Sequence, residues 1–168
     1  MGDKTYSFYL QPSEPRPDFR LVKAFLWHDS QNVDTDGDSY NPASGTWTYL
    51  FMQNRENEAE AVVVDKVTMN IGTSVALALE VKSEQEYLAA RCAYFLAVIT
   101  RSGVSTDVDK EACDPDILIE RMGADFDIEA AMQRVEQSPY SRSTLENPYP
   151  NLSLELSRKS CRRPVAAF

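Results

Sequence analysis

The feature that most constrains the fold is a change of hydrophobic period at Ser83. Before it, from 58 to 82, apolar and polar residues alternate, as in strands with one buried face. After it, apolar residues recur every three or four positions, as along one side of a helix: Leu88, Cys92, Phe95 and Ile99. The chain is therefore expected to form a sheet and then a helix that packs across it.

The alternating and apolar segments predict an antiparallel, meander-like sheet of about five to six strands. In 21–28 we expect a strand with Phe25 and Trp27 on one face. In 47–53, Trp47, Tyr49 and Phe51 are expected to share a face and to lie mainly in the core. Residues 32–45 are predicted to be a polar turn region. The other predicted strands are 6–11, 58–69, 75–82, a short one at 104–108 and a last one at 152–156.

One long helix and two shorter ones are expected to pack on this sheet, which makes the fold class α+β. The long helix covers 83–101, with Ser83 and Glu86 as a capping box and an end near Gly103. The second covers 115–122, capped by Asp114 and stopped by Gly123. The third covers 128–137 and carries its apolar residues on one face.

The length of 168 residues predicts a single domain over residues 1–157. Residues 158–168 form a basic tail that we expect to be mobile. Three cysteines do not indicate a disulfide framework, and neither a secretory leader nor a membrane-spanning run is recognised. These features favour a cytoplasmic protein.

Negative charge is concentrated between Asp107 and Glu136. The whole chain carries a net charge of −9, and this stretch holds ten acidic residues against three basic ones. Such a charge disfavours nucleic acids and anionic membranes as ligands, and favours steering toward a basic protein. The residues predicted to bind the partner are Asp107, Asp109, Glu111, Asp114, Asp116, Glu120, Glu129, Glu136 and Tyr140. Solvation and helix capping are the competing explanation for these acids.

The chemistry-bearing residues favour a protein without catalytic, metal or cofactor sites. His28 is the only histidine, and no serine lies in a nucleophile-elbow context. The profile is similar in type to bacterial immunity proteins and antitoxins, which implies a module that binds a basic toxin or effector and neutralises or escorts it. Tyr140 or Tyr149 would supply apolar anchors. An acidic mimic of nucleic acid is a further alternative.

Residues 32–37 read Asn-Val-Asp-Thr-Asp-Gly, which matches the start of an EF-hand calcium loop. The twelfth position, which should provide a bidentate glutamate, is Ala43. A hairpin turn with Asp36-Gly37 at its tip explains the same residues more simply.

Asp65, Glu80 and Lys82 end two successive predicted strands. Their order resembles the metal-dependent nuclease family named for its Pro-Asp…(Asp/Glu)-x-Lys pattern. The resemblance covers roughly residues 47–108 and implies two carboxylates around Mg²⁺, with a lysine beside the attacking water. The alternation places Asp65 on the apolar face of its strand, and an exposed Glu80/Lys82 pair is the competing explanation.

Overall fold

The computed structural model describes residues 4–14, 16–17, 19–27, 33–37, 47–55, 64–71, 78–107 and 111–138. Their elements, in chain order, are β1 Tyr6–Leu10, α1 Phe19–Trp27, β2 Val33–Gly37, β3 Tyr49–Asn54, β4 Asp65–Ile71, β5 Leu79–Ser83, α2 Glu86–Thr100, β6 Val104–Ser105, a 3-10 helix Pro115–Arg121 and α3 Ile128–Gln137. The predicted strand at 152–156, the boundary at 157 and the basic tail lie outside the described residues.

The strands form one antiparallel sheet, so the predicted α+β class is confirmed. Its order is β2-β3-β4-β5-β1-β6, and the four strands from β2 to β5 form the predicted meander. The N-terminal β1 inserts between β5 and β6. Among the described residues, no helix combines the length and the apolar composition that a bilayer crossing requires.

One face of the sheet is buried under the helices. The register aligns Phe8 with Val81, and Val81 with Met69, so that their side chains form a continuous apolar row. These alternate positions are the ones that the period of two predicted for β1, β4 and β5. Along α2 the predicted stripe is also buried, Cys92 included, and α2 packs against β1, β4, β5 and β6.

The prediction of a strand at 21–28 is wrong, because this segment forms α1. Leu21, Val22, Phe25 and Leu26 are all buried, at the i, i+1, i+4, i+5 spacing of a helix face. The alternation of Phe25 with Trp27 fits a strand only over three positions. In the folded chain α1 packs against α2 and α3. A helix buries all four of these residues on one side, whereas a strand would place Val22 and Leu26 on its exposed face.

Tyr49 and Phe51 share a face as predicted, but the prediction that this face lies in the core is wrong. β3 buries Leu50 and Met52, while Tyr49 and Phe51 are half-buried on the opposite face. Pairing with β4 decides this, because it sets the two buried side chains of β3 opposite Met69 and Val67 of the core face. Trp47 is buried but precedes the strand, and its indole N–H donates to the carbonyl oxygen of Pro17 at 2.8 Å.

The start of α2 differs from the prediction. No Ser83–Glu86 capping box forms, since Gln85 is the N-cap and its side chain makes no capping bond. The Ser83 hydroxyl instead accepts from the Gln85 amide at 3.0 Å and donates to the Lys66 carbonyl oxygen at 2.5 Å, which joins β5 to β4. The helix ends at Thr100, and its C-cap Arg101 is left-handed (φ 55°), which agrees with the predicted end near Gly103.

The predicted cap Asp114 is confirmed, and Asp127 is the N-cap of α3. The Asp114 carboxylate accepts from the Asp116 amide at 2.9 Å, and the Asp127 carboxylate accepts from the Ala130 amide at 3.0 Å. Gly123 follows the 3-10 helix with φ 91°, a conformation that favours glycine. The segment 115–121 is a 3-10 helix, and residues 33–37 form β2 within the predicted turn region.

Candidate partner-binding surface

The 3-10 helix carries one buried and one exposed side. Pro115, Leu118 and Met122 are buried, and the helix packs against α2. The outward side exposes Ile117 and Ile119 by 45% and 43%, the large hydrophobic residues that are exposed within the described part of the chain. The two isoleucines leave apolar surface exposed to water, and a bound partner would cover that surface.

Carboxylates surround these two isoleucines along the same helix. Asp114 is its N-cap, Asp116 lies in its first turn and Glu120 near its end, and all three are exposed. Within the described ranges none of the three forms an ion pair. We define Asp114, Asp116, Ile117, Ile119 and Glu120 as the acidic-apolar surface.

Arg91 of α2 holds the end of this helix in place. Its Nε donates to the carbonyl oxygen of Met122 at 2.8 Å. Its guanidinium carbon lies 4.3 Å from the ring centroid of Phe126 and 4.8 Å from that of Tyr87. Burial lowers the pKa of Arg91 from its ordinary value. A Cβ at Gly123 would lie 3.2 Å from Arg91 Nη2, so this glycine also allows the close approach.

The other end of the surface is anchored to the sheet edge. The backbone amide of Val104 donates to the carbonyl oxygen of Cys113 at 2.8 Å, and the reverse bond has the same length. Gly103 permits this approach, since a Cβ there would lie 2.7 Å from the Cβ of Ala112. The 3-10 helix is therefore attached to β6 before it begins and to α2 where it ends.

The remaining predicted binding residues lie on other elements. Asp107 and Glu111 are exposed near the end of β6, whereas Glu129 is exposed and Glu136 half-buried on α3, which packs against α1. Partial burial, followed by the neighbouring Glu80, raises the pKa of Tyr9, and Asp107 adds to this shift. Asp109 and Tyr140 lie outside the described residues, as does Tyr149.

Ile117 and Ile119 were not among the predicted site residues. The pattern does contain a signal for them, because they flank Leu118 and fall outside the i, i+3 row that Pro115 and Leu118 form. The prediction of an α-helix here assumed a different period, in which this row is not aligned. The exposed apolar side chains therefore belong to the acidic segment itself, whereas the sequence predicted Tyr140 or Tyr149 as the apolar anchors.

The residues of the nuclease alternative do not meet. Asp65 lies on the face that carries Val67 and Met69, while Glu80 and Lys82 alternate with the buried Leu79 and Val81. The β4–β5 register aligns Val81 with Met69, which places Glu80 and Lys82 on the opposite face of the sheet from Asp65. Two carboxylates on opposite faces cannot share a metal ion.

Asp65 instead joins three elements. Its carboxylate accepts a hydrogen bond from the indole N–H of Trp27 in α1 at 3.2 Å. It also accepts one from the hydroxyl of Tyr87 in α2. Burial, followed by the hydrogen bond to Asp65, raises the pKa of Tyr87 above its ordinary value. This arrangement is a structural clamp, since it keeps the Tyr87 hydroxyl protonated and paired.

The raised pKa of Tyr87 predicts a specific loss of stability in alkali. The folded state holds this proton more tightly than the unfolded state, so its contribution is complete below the ordinary pKa of 10.0 and falls as the pH rises above it. We expect the free energy of unfolding to decrease more steeply above pH 10 in the parent than in Tyr87→Phe. Urea denaturation between pH 8 and pH 11, followed by tryptophan fluorescence, measures both slopes, and equal slopes would contradict the assignment.

Residues 33–37 form strand β2, in which Asp36 and Gly37 pair with Phe51 and Leu50, so the prediction of a hairpin turn with Asp36-Gly37 at its tip is wrong and these residues do not form a calcium loop. Asp34 and Asp36 lie on β2 with their side chains on the same face, and Asp34 pairs with Arg55 at 3.3 Å. In the described part of the chain, no group of three or more histidine, cysteine or acidic residues is placed to hold a metal ion. Cys92 is buried, which raises its pKa, and Cys113 is exposed. His28 and Cys161 lie outside the described residues.

The acidic-apolar surface therefore combines exposed hydrocarbon with carboxylates that form no ion pair in the described part of the chain, on a helix that is held at both ends. Its chemistry suits ionic and apolar contacts with another macromolecule. No protein-family model, curated protein or solved structure matches this chain significantly.

Proposed function

We propose that this protein is a non-enzymatic binding module whose acidic-apolar surface engages a basic protein partner and neutralises or escorts it. The observation that carries the proposal is the exposure of Ile117 and Ile119 between carboxylates. Acidic residues alone would be explained by solvation. Two exposed isoleucines at the same place are not explained by solubility, because they oppose it.

The two kinds of side chain would contribute differently to binding. Asp114, Asp116 and Glu120 would steer a basic partner and accelerate encounter, an effect that salt screens. The isoleucines would slow dissociation by burying apolar area at the centre of the contact. A nucleic-acid mimic would need the carboxylates but not the isoleucines, so the surface favours a protein-binding module over a mimic.

The proposal predicts that substitutions of the isoleucines and of the carboxylates change different rate constants of the complex. Ile117→Ser/Ile119→Ser should weaken the complex about 10-fold or more, mainly through faster dissociation. Asp116→Lys/Glu120→Lys should mainly slow association and reduce its salt dependence. The measurement starts from affinity capture with the tagged parent in lysate of the native host, elution in rising salt and identification by mass spectrometry. Purified partner and variants are then compared by surface plasmon resonance.

The matched control is Asp36→Lys/Glu84→Lys, which reverses two exposed carboxylates outside the surface and makes the same change in net charge. This control should retain the partner with nearly unchanged dissociation. If the control and the surface variants lose the partner equally, binding depends on the overall charge of the protein, and the assignment of the surface is wrong. If the captured partner is also released by added duplex DNA, the mimic replaces the present proposal.

A further inference from the structure

We propose that the face of the sheet opposite the helices is a homodimer interface, through which two copies of this chain pack face to face about a two-fold axis. This face is separate from the acidic-apolar surface, since the 3-10 helix packs against α2 on the other side of the sheet. We define the open face by the outward side chains of four neighbouring strands: Ser7, Tyr9, Tyr49, Phe51, Thr68, Asn70, Glu80 and Lys82. Lys82 is exposed and the other seven are half-buried, so water reaches all of them.

The strand register arranges the open face in two parallel rows that cross the strands. The first row consists of the paired residues Tyr9, Glu80, Asn70 and Tyr49, and the second of Ser7, Lys82, Thr68 and Phe51. Along each strand the two rows are two residues apart, which is about 7 Å. A two-fold axis that lies in the interface and crosses β5 at Val81 therefore sets the first row of each copy opposite the second row of the other.

The two rows carry opposite charges on β5. About this axis Glu80 of each copy lies opposite Lys82 of the other, so the dimer contains two equivalent ion pairs. Within the described ranges Lys82 forms no ion pair, and its paired residues on β1 and β4 are uncharged. The hydroxyl of Tyr9 donates a hydrogen bond to the Glu80 carboxylate, which holds this charge in position. The open face is therefore complementary to itself in charge, and a second copy is the partner that it fits.

The same axis matches the side chains of β3 and β4. Tyr49 lies opposite Phe51 of the second copy, and aromatic pairs stabilise an interface beyond the area that they bury. Asn70 lies opposite Thr68 of the second copy, where an amide and a hydroxyl are able to hydrogen-bond. The aromatic pair provides apolar contact beside the ion pairs, and charge alone would not fix the two copies in one arrangement.

The dimensions of the open face also suit this packing. Two sheets packed face to face lie about 10 Å apart, a distance that one layer of interdigitated side chains fills. On β1 the bulky Tyr9 lies opposite the small Ser7 of the second copy, so both fit within that layer. The six-stranded sheet presents about 29 Å by 17 Å, or about 500 Å² in projection. This is smaller than the about 800 Å² per partner of a standard interface, so we expect a reversible dimer with a Kd in the micromolar range.

Sedimentation velocity of the full-length chain between about 1 and 300 µM tests the inference, because this range brackets a micromolar Kd. The parent should shift from monomer to dimer as its concentration rises. Glu80→Lys and Lys82→Glu each place like charges opposite one another across the axis. Each variant alone should therefore dimerise at least about 10-fold more weakly than the parent. Glu129→Lys is the matched control, since it makes the same charge change as Glu80→Lys at an exposed position of α3 and should dimerise as the parent does.

Mixing the two charge variants separates a lost interface from a lost fold. In an equimolar mixture of Glu80→Lys and Lys82→Glu, every ion pair of the heterodimer is restored with its charges exchanged, so the mixture should associate although neither variant does so alone. The double variant Glu80→Lys/Lys82→Glu should form a homodimer again for the same reason.

A parent that stays monomeric over the whole range, single variants that dimerise like the parent, or a mixture that does not associate overturns the inference. The result is independent of the capture experiment, because Ile117→Ser/Ile119→Ser leaves the open face intact and should still dimerise. Loss of the basic partner by that variant, together with normal dimerisation, would leave both proposals standing. Loss of dimerisation in it would assign the interface to the acidic-apolar surface and overturn the present inference.

Discussion

Replacing Phe25 by alanine is expected to lower the free energy of unfolding by about 3–5 kcal/mol, the largest effect that we predict for a single substitution. The side chain is fully buried at the junction of the helical layer. Its ring stacks on Phe95 at a centroid distance of 4.7 Å and meets the edge of Phe126 at 5.4 Å. Truncation would leave a cavity and remove these aromatic contacts together. Urea denaturation of Phe25→Ala and the parent provides the comparison.

Ile117→Ala is the control, because it truncates a large apolar side chain that is 45% exposed. Its effect should stay within about 0.5 kcal/mol. Similar losses in the two variants would mean that Phe25 is not at the centre of the helical packing, and the placement of α1 would have to be revised.

Asp65→Ala is expected to cost about 1–3 kcal/mol, although aspartate is usually a surface residue. Its removal leaves the indole N–H of Trp27 and the hydroxyl of Tyr87 without their acceptor in a half-buried environment. These donors belong to α1 and α2, so the loss loosens both helices relative to β4. Chemical denaturation again provides the measurement.

A double-mutant cycle with Tyr87→Phe isolates the hydrogen bond. We expect the double variant to be less destabilised than the sum of the single variants, with a coupling energy of about 0.5–3 kcal/mol. Asp36→Ala, which removes an exposed carboxylate from β2, should change stability by no more than about 0.5 kcal/mol. Strict additivity in the cycle, or a control as damaging as Asp65→Ala, would rule out the clamp.

Much of the secondary structure could be predicted because its signals are local. Strand alternation placed the buried positions of β1, β4 and β5, and helical spacing placed those of α2 and α3. The cap Asp114 could be predicted because its side chain bonds an amide only two residues away. At α1 the alternation of Phe25 with Trp27 suggested a strand, and packing against α2 and α3 favours the helix that buries Leu21, Val22, Phe25 and Leu26 together.

The negative charge of the candidate surface could be predicted, but its exposed isoleucines could not. The acidic stretch is evident from the residues, since carboxylates are rarely buried without partners. The exposure of Ile117 and Ile119 was not, because an apolar residue in a helical segment is expected in the core. It follows from the 3-10 geometry, which aligns Pro115 with Leu118 and turns their neighbours outward.

By itself, the sequence determined the alternation of the strands, the period of the helices, the helix caps and the excess of negative charge. Each of these depends on neighbours within a few positions, and local physical chemistry is enough to specify it. Only the tertiary structure decided the helical state of α1, the buried face of β3, the separation of Asp65 from Glu80 and Lys82, and the exposed isoleucines. Those features depend on strand register and on which helix faces meet, and such contacts join residues that are distant along the chain.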